Sequence, residues 1–306
     1  MATKPARGAT STGSRAATYV LLASLSVIWG LGFVAIRVAD FGLSPTSLAL
    51  VRWLIASVGF LAMLPFTKAK TRFEGRDLPR LLLIALANIA GYNISLNYAE
   101  KSISSGLAGI LVSLGPVFMI VLSSLTLKER IGRRLVLALV LALAGTVLLS
   151  VSDLGVNGSL ILGSGEAVLS ALFYAVFTVA SKPLVEKYGA LRVVIWASVI
   201  GTVFLLPFAS GGFVGQVSAL SSEGWLALLY LSILSSVVGY SVYYTLVGRG
   251  PISGLSVQLY LIPIVSVIGG VLILQERVTV LIVVGAAVTL SAIALARTSK
   301  PETRRS

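Results

Sequence analysis

Residues 135–149 read Leu-Val-Leu-Ala-Leu-Val-Leu-Ala-Leu-Ala-Gly-Thr-Val-Leu-Leu, and no charge follows until Asp153. The run has no polar stripe at helical spacing and therefore no side to turn toward water. A helix that is apolar all round lies in lipid or in the middle of a large core. Composition separates the two cases. The 306 residues are 57% hydrophobic and 11% charged, with a mean hydropathy of +0.98. That leaves too little polar surface to coat a soluble globule.

Outward from this run, comparable stretches recur along the whole chain. They give ten expected spans at 17–38, 46–66, 78–98, 103–124, 133–152, 161–181, 191–209, 224–246, 252–273 and 278–297. Each has about the 20 residues that cross a ~30 Å hydrocarbon layer at 1.5 Å per residue. The expected fold class is an all-α polytopic membrane protein with ten transmembrane helices. Of the 24 Lys and Arg, twenty collect in the tails and loops of one side, three (Arg37, Lys101, Arg277) lie on the other, and Arg52 falls within a span. Positive charge is retained on the cytoplasmic side, so both termini are expected there and the chain in the inner (plasma) membrane. Residues 1–16 form an expected disordered basic tail, retained because the apolar run after it is too long for a signal peptide. A second basic tail covers 298–306.

Several chemistries are excluded at once. Without cysteine or histidine there is no thiolate, imidazole base or Cys/His zinc site, and no metal or other cofactor is expected. No Gly-rich loop leads into Lys-Ser or Lys-Thr, so an ATP-driven motor has no motif here. The net charge of +13 sits in loops facing the membrane surface, which argues against a nucleic-acid partner. The spans hold no paired carboxylates for an embedded enzyme and no charge ring for a channel, so no catalytic residue is expected.

The chain resembles itself at a separation of about 147 residues. Gly91-Tyr92 matches Gly239-Tyr240, Ser105-Gly106-Leu107 matches Ser253-Gly254-Leu255, and Glu129-Arg130 matches Glu276-Arg277. Trp29, Val34, Ala35 and Arg37 align with Tyr174, Val179, Ala180 and Lys182. Each half, 17–152 and 161–297, holds five expected spans. An odd number forces the second copy to enter the membrane from the opposite side, and inverted repeats of this kind recur in secondary transporters. The two repeats are expected to form one transport domain.

The stretch Trp29-Gly30-Leu31-Gly32-Phe33-Val34-Ala35-Ile36-Arg37, the spacing from Pro45 to Arg52, Leu114-Gly115-Pro116-Val117 and Leu127-Lys128-Glu129-Arg130 resemble the first half of drug/metabolite transporters of the EamA type. Pro263-Ile264 with Leu274-Gln275-Glu276-Arg277 repeats the pattern. The resemblance covers nearly all of the chain between the tails, and the aromatic and neutral amino-acid exporters look nearest within it. It implies that spans 1, 3, 4, 6, 8 and 9 surround a central cavity, with spans 5 and 10 packed outside.

Polar side chains within spans should face other helices or a watery cavity, because lipid offers no hydrogen bonds. Asn88, Tyr92 and Ser95 share one helix face, as do Ser236, Tyr240 and Tyr243 in the matching span. Glu166, Ser170, Tyr174 and Thr178 form a third stripe and Trp29 and Phe33 a fourth, while Asn93, Asn97, Tyr244 and Gln258 widen the surface. The expectation is that Trp29, Tyr92, Tyr174 and Tyr240, with Tyr243 and Tyr244 nearby, offer rings to an apolar solute. Asn88, Asn93 and Gln258 would then bond its polar end. Polar glue between helices is the structural alternative. Pro116 and Pro263 fall mid-span and free the carbonyls of Val112 and Leu259, as hinges or simple kinks. Arg52 and Glu166 are the charges inside spans. They could pair, Arg52 could snorkel outward, or Glu166 could take a proton or an amine. The expected partners are a small amphipathic metabolite, foremost an amino acid, and the bilayer, with the chain working as a monomer by alternating access. Other solutes of the superfamily are the nearest alternative.

Overall fold

The computed structural model describes residues 12–66, 73–126, 133–150, 158–209, 212–249 and 258–298. Among them every regular element is helical. We number the long helical passages α1 (Thr12–Asp40), α2 (Pro45–Ala62), α3 (Gly75–Ala99), α4 (105–126), α5 (Arg133–Ser150), α6 (Gly158–Tyr188), α7 (Ala190–Leu205), α8 (222–249), α9 (Gln258–Leu274) and α10 (Val280–Thr298). Seven segments, within α1–α4 and α6–α8, are long and apolar enough to cross a membrane; Leu261–Leu274 and Val280–Leu295 are shorter apolar helices. The first helix already begins at Thr12, inside the expected tail. Residues 1–11 and 299–306 lie outside the described residues, as do 250–257 at the head of the expected ninth span.

Local chemistry fixes where several helices start. Ser44 and Ser104 both sit in extended backbone and accept the N–H three residues on, from Ser47 at 3.3 Å and Leu107 at 3.2 Å. Ser221 does the same for Gly224 at 3.1 Å. Each hydroxyl satisfies one of the amides that a helix N-terminus leaves free. Pro45 follows Ser44 at the first helical position, where a missing N–H costs nothing.

Three passages are not uniform. In α3, Leu86–Tyr92 widens to π-helix, and in α8 Tyr230–Val238 does likewise. A π turn takes an extra residue and strands carbonyls that an α turn would satisfy. Asn93 answers for two of them, its Nδ2 donating to the carbonyls of Asn88 (2.8 Å) and Ile89 (3.2 Å). The third break is in α4, where the helix halts at Ser113–Leu114 and resumes at Gly115–Thr126. Pro116 thus stands in the first turn of a new helical piece, whereas Pro263 lies inside α9, which continues through it. The sequence expectation of two equivalent mid-helix prolines needs correcting on this point. The helix ends before Pro116 instead of bending through it, because the ring supplies no N–H to the turn behind.

The bundle has apolar side chains on both its faces. Along α2, Trp53, Ala56 and Phe60 are fully buried, while Leu54, Val58 and Leu61 point outward. Val136, Leu137, Val140 and Val147 of α5 are likewise exposed. Such surface is unfavourable in water and ordinary against lipid. Helices α5 and α10 pack chiefly on each other, outside the others. A Cβ on Gly145 would come within 3.1 Å of the Thr289 nitrogen and 3.2 Å of the Gly285 carbonyl oxygen, so this seam is a close backbone approach that glycine permits.

One end of the bundle is tied by polar contacts between helix termini. Lys101 pairs with Asp40 at 2.8 Å, Arg37 donates to the Glu100 carbonyl, and Asn97 donates to the Pro45 carbonyl at 2.9 Å. Gln275, at φ 56, puts the backbone into the left-handed region just after α9. The turn delivers the Glu276 carboxylate to the start of α4, where it accepts from the Ser105 amide (2.8 Å), the Ser105 hydroxyl (3.0 Å) and the Gly106 amide (3.2 Å). An anion on a helix N-terminus also meets the positive end of the dipole. At the opposite end Lys187 bridges Glu74 and Asp77 at 2.7 and 2.6 Å. Its hydrogen bond holds the exposed Glu74 carboxyl below the ordinary carboxylate range.

Candidate functional site

Where α1, α3, α6 and α8 meet, their aromatic side chains close into a cluster. Trp29 lies 5.2 Å from Tyr240, 5.1 Å from Tyr243 and 6.3 Å from Tyr174, ring centre to ring centre. Tyr92 reaches Tyr174 at 6.2 Å, and Trp53 of α2 meets Tyr240 at 5.5 Å. Offset and edge-on contacts at these separations are favourable beyond the area they bury.

Inside the cluster is a small cavity. Its walls are Trp29, Gly32, Phe33 and Ile36 from α1, Arg52 from α2, Tyr92 and Leu96 from α3, Tyr174 from α6, and Leu231, Ser235 and Tyr240 from α8. The space between atoms there is about 350 Å³, of which only about 20 Å³ would take the centre of a water. That is the room of a water or so, and the surrounding helices are closed in on it.

Two hydrogen bonds set the α1–α8 geometry. The Trp29 indole donates to the Ser235 carbonyl at 3.0 Å, and the Tyr230 hydroxyl donates to the Ile28 carbonyl at 2.8 Å. Ser235 belongs to the π-helical stretch, which is where backbone carbonyls fall free for such a partner. Behind the wall, the Tyr243 hydroxyl lies 2.6 Å from Thr178 Oγ1, and Thr178 in turn donates to the Tyr174 carbonyl at 2.8 Å.

Of the residues expected from the sequence, Trp29, Tyr92, Tyr174 and Tyr240 line the cavity. Tyr243 and Tyr244 stand in a second layer, both fully buried. Asn88 is buried off the wall beside the Tyr244 hydroxyl, and neither side chain completes a well-formed hydrogen bond among the described residues. Asn93 spends its amide on the π-helical carbonyls and does not line the cavity. Gln258 opens α9, and its side chain lies outside the described residues. Pro116 is buried at its helix break, and Pro263 faces the α4–α9–α10 side, away from the cavity. Glu166 is half-buried on α6 and forms no salt bridge among the described residues, so it does not pair with Arg52. Arg52 does not snorkel either. It is 4% exposed, donates from Nε to Ser236 Oγ at 3.0 Å and from Nη2 to Ser235 Oγ at 3.4 Å, and lies 5.8 Å from the Trp53 ring centre.

Two features went unread in the sequence. Arg52 brings α2 into the wall, which the expected six-span lining does not include, and among the described residues no side chain of α4 or α9 joins it. Glu100 falls between the expected spans 78–98 and 103–124, yet it is fully buried and neither carboxylate oxygen has a hydrogen-bond partner among the described residues. Its only signal was the step from an apolar run straight into Glu100-Lys101.

Apolar helices packed around a small aromatic cavity, with lipid-type surface outside, make this a multi-pass membrane protein. The chain belongs to the EamA-like transporter family, which it matches over residues 16–151 and again over 162–298. It is 30% identical over 272 residues to an uncharacterized transporter of Archaeoglobus fulgidus, covering 89% of this chain and 95% of that one. It is 29% identical over 269 residues to a "probable terminal-alkyne amino-acid exporter" of Streptantibioticus cattleyicolor, covering 88% and 89%. A "probable amino-acid metabolite efflux pump" of Escherichia coli is 24% identical over 287 residues, covering 87% and 90%. A solved crystal structure shares the fold at a TM-score of 0.64 and 19% identity, covering 92% of this chain and 96% of that one.

Proposed function

We propose that the chain is a secondary carrier that exports small amphipathic metabolites, foremost amino acids with aromatic or other apolar side chains. The observation that carries this reading is the central aromatic cavity, whose rings suit an apolar side chain and whose walls come from both halves of the chain. Two relatives named for amino-acid or amino-acid-metabolite export point the same way. In this reading ten spans form two inverted five-helix units, the termini face the cytoplasm, and the monomer works in the inner membrane without a cofactor. The units rock about the cavity to expose it alternately to either side. No chemical step on the solute is part of this mechanism, so the protein is not an enzyme.

Reconstitution in liposomes followed by counterflow of labelled amino acids, with and without a pH gradient, tests it. Accumulation of phenylalanine, tyrosine or leucine label against unlabelled solute is the expected result. No counterflow of any amino acid would remove the amino-acid reading, and none of any amphipathic solute would remove the carrier reading.

A further inference from the structure

We propose that Arg52 is the receptor for a carboxylate on the solute, so that the cavity selects organic molecules that join an apolar body to a carboxylate. The inference rests on reading the aromatic cavity as the solute's seat. Arg52 is 4% exposed, in the wall of that cavity and away from either end of the bundle. A charge taken out of water is costly unless an opposite charge or enough hydrogen bonds replace the water. The partners of Arg52 are two neutral hydroxyls and the face of Trp53. Among the described residues no carboxylate lies within 4 Å of it, and Glu100 acts on it only through space.

Geometry adds to the electrostatics. The guanidinium has five N–H donors in a planar fork; the serines take one on Nε and one on Nη2, so that among the described residues both Nη1 donors and the second Nη2 donor are left in a residue that lines the cavity. The serines and the Trp53 ring hold the fork in one orientation before any ligand arrives. A planar donor pair of fixed direction matches a carboxylate in two-point contact, which an ammonium on a flexible stem would not. The other cations show the contrast. Lys101 has Asp40, Lys187 has Glu74 and Asp77, and the buried Arg192 lies over the adjoining rings of Phe73 and Tyr188 at the end of the bundle. Arg52 is the cation among them whose surroundings include a ring-lined space.

The test measures binding directly, through the tryptophan fluorescence of the full chain in detergent, with Trp29 in the cavity wall as reporter. The probes are 3-phenylpropionate and phenylalanine against 3-phenylpropanol and phenylalanine amide. Each pair is matched in apolar body and differs in the carboxylate. Wild type should bind the carboxylates about 10- to 100-fold more tightly, the scale of one charge-assisted hydrogen bond. Arg52→Gln should bring the ratio toward one, and Arg52→Lys should keep only part of it. Equal binding of both partners by wild type, no binding of either, or a preference that survives in Arg52→Gln would each overturn the proposal. The wild-type arm decides the matter even if Arg52→Gln does not fold. A carboxylate preference without any counterflow in liposomes would leave this assignment standing and remove the carrier reading.

Discussion

Tyr92 and Tyr240 are matched positions of the two halves, yet they carry different structural loads. Tyr92 is half-buried and among the described residues touches one other ring, that of Tyr174. Tyr240 is 3% exposed and contacts Trp29, Trp53, Phe177 and Tyr244. Tyr92→Ala should therefore cut solute counterflow severalfold while membrane abundance stays near wild type. Tyr240→Ala should lower abundance as well, since emptying a filled aromatic site costs about 3 kcal/mol or more. Counterflow rates set against quantified protein in the membrane check both. At this scale the sequence was readable in part. Aromatic residues at helical spacing stood out, but reading Asn88, Tyr92 and Ser95 as one stripe assumed 3.6 residues per turn. The π-helical stretch spends an extra residue there, so Asn88 falls off the wall that Tyr92 lines. No pattern in Leu86–Tyr92 announces that widening. Arg52 was conspicuous as a charge in an apolar run, whereas its serine partners lie more than 180 residues further on, a pairing only the tertiary fold creates.

Among the elements, the α5–α10 seam stands apart from the cavity, and no described residue of either helix contributes to its wall. Its closeness depends on Gly145 lying against the backbone of Thr289 and Gly285. Gly145→Leu should force the two helices apart and lower the melting temperature in detergent by the several degrees that about 1–3 kcal/mol of overpacking implies. Binding of a carboxylate probe at the distant cavity should be unchanged, and a loss of binding equal to the loss of stability would refute the separation. Helices as such were easy to foresee, because a bilayer leaves a spanning chain no other way to satisfy its backbone. Their interruptions were not. Proline at Pro116 and at Pro263 looks the same in sequence, but one heads a new helical piece and the other is carried inside a continuous helix. What decides between them is packing around the break, and that information is not local.

For the molecule as a whole, the matched halves and the lopsided distribution of lysine and arginine argue for opposite threading of two units. The chain contains no cysteine, so single cysteines can be introduced without background. Cysteines at positions 130 and 277 should react with an impermeant maleimide from opposite sides of the membrane, and reaction from one common side would refute the inverted arrangement. Between the units, Glu276 grips the start of α4 through three hydrogen bonds. Glu276→Gln replaces a charged acceptor with a neutral one and should cost about 1–2 kcal/mol, seen as a lower melting temperature with the cavity's ligand preference intact. The central cavity, where only about 20 Å³ would take the centre of a water, carries a kinetic corollary. Nothing as large as a phenyl ring can enter until the walls part. Solutes of quite different chemistry should then arrive at one shared ceiling, the frequency with which the protein opens, and differ chiefly in how long they stay. Discrimination in such a molecule would be written in residence times, with arrival rates nearly blind to identity.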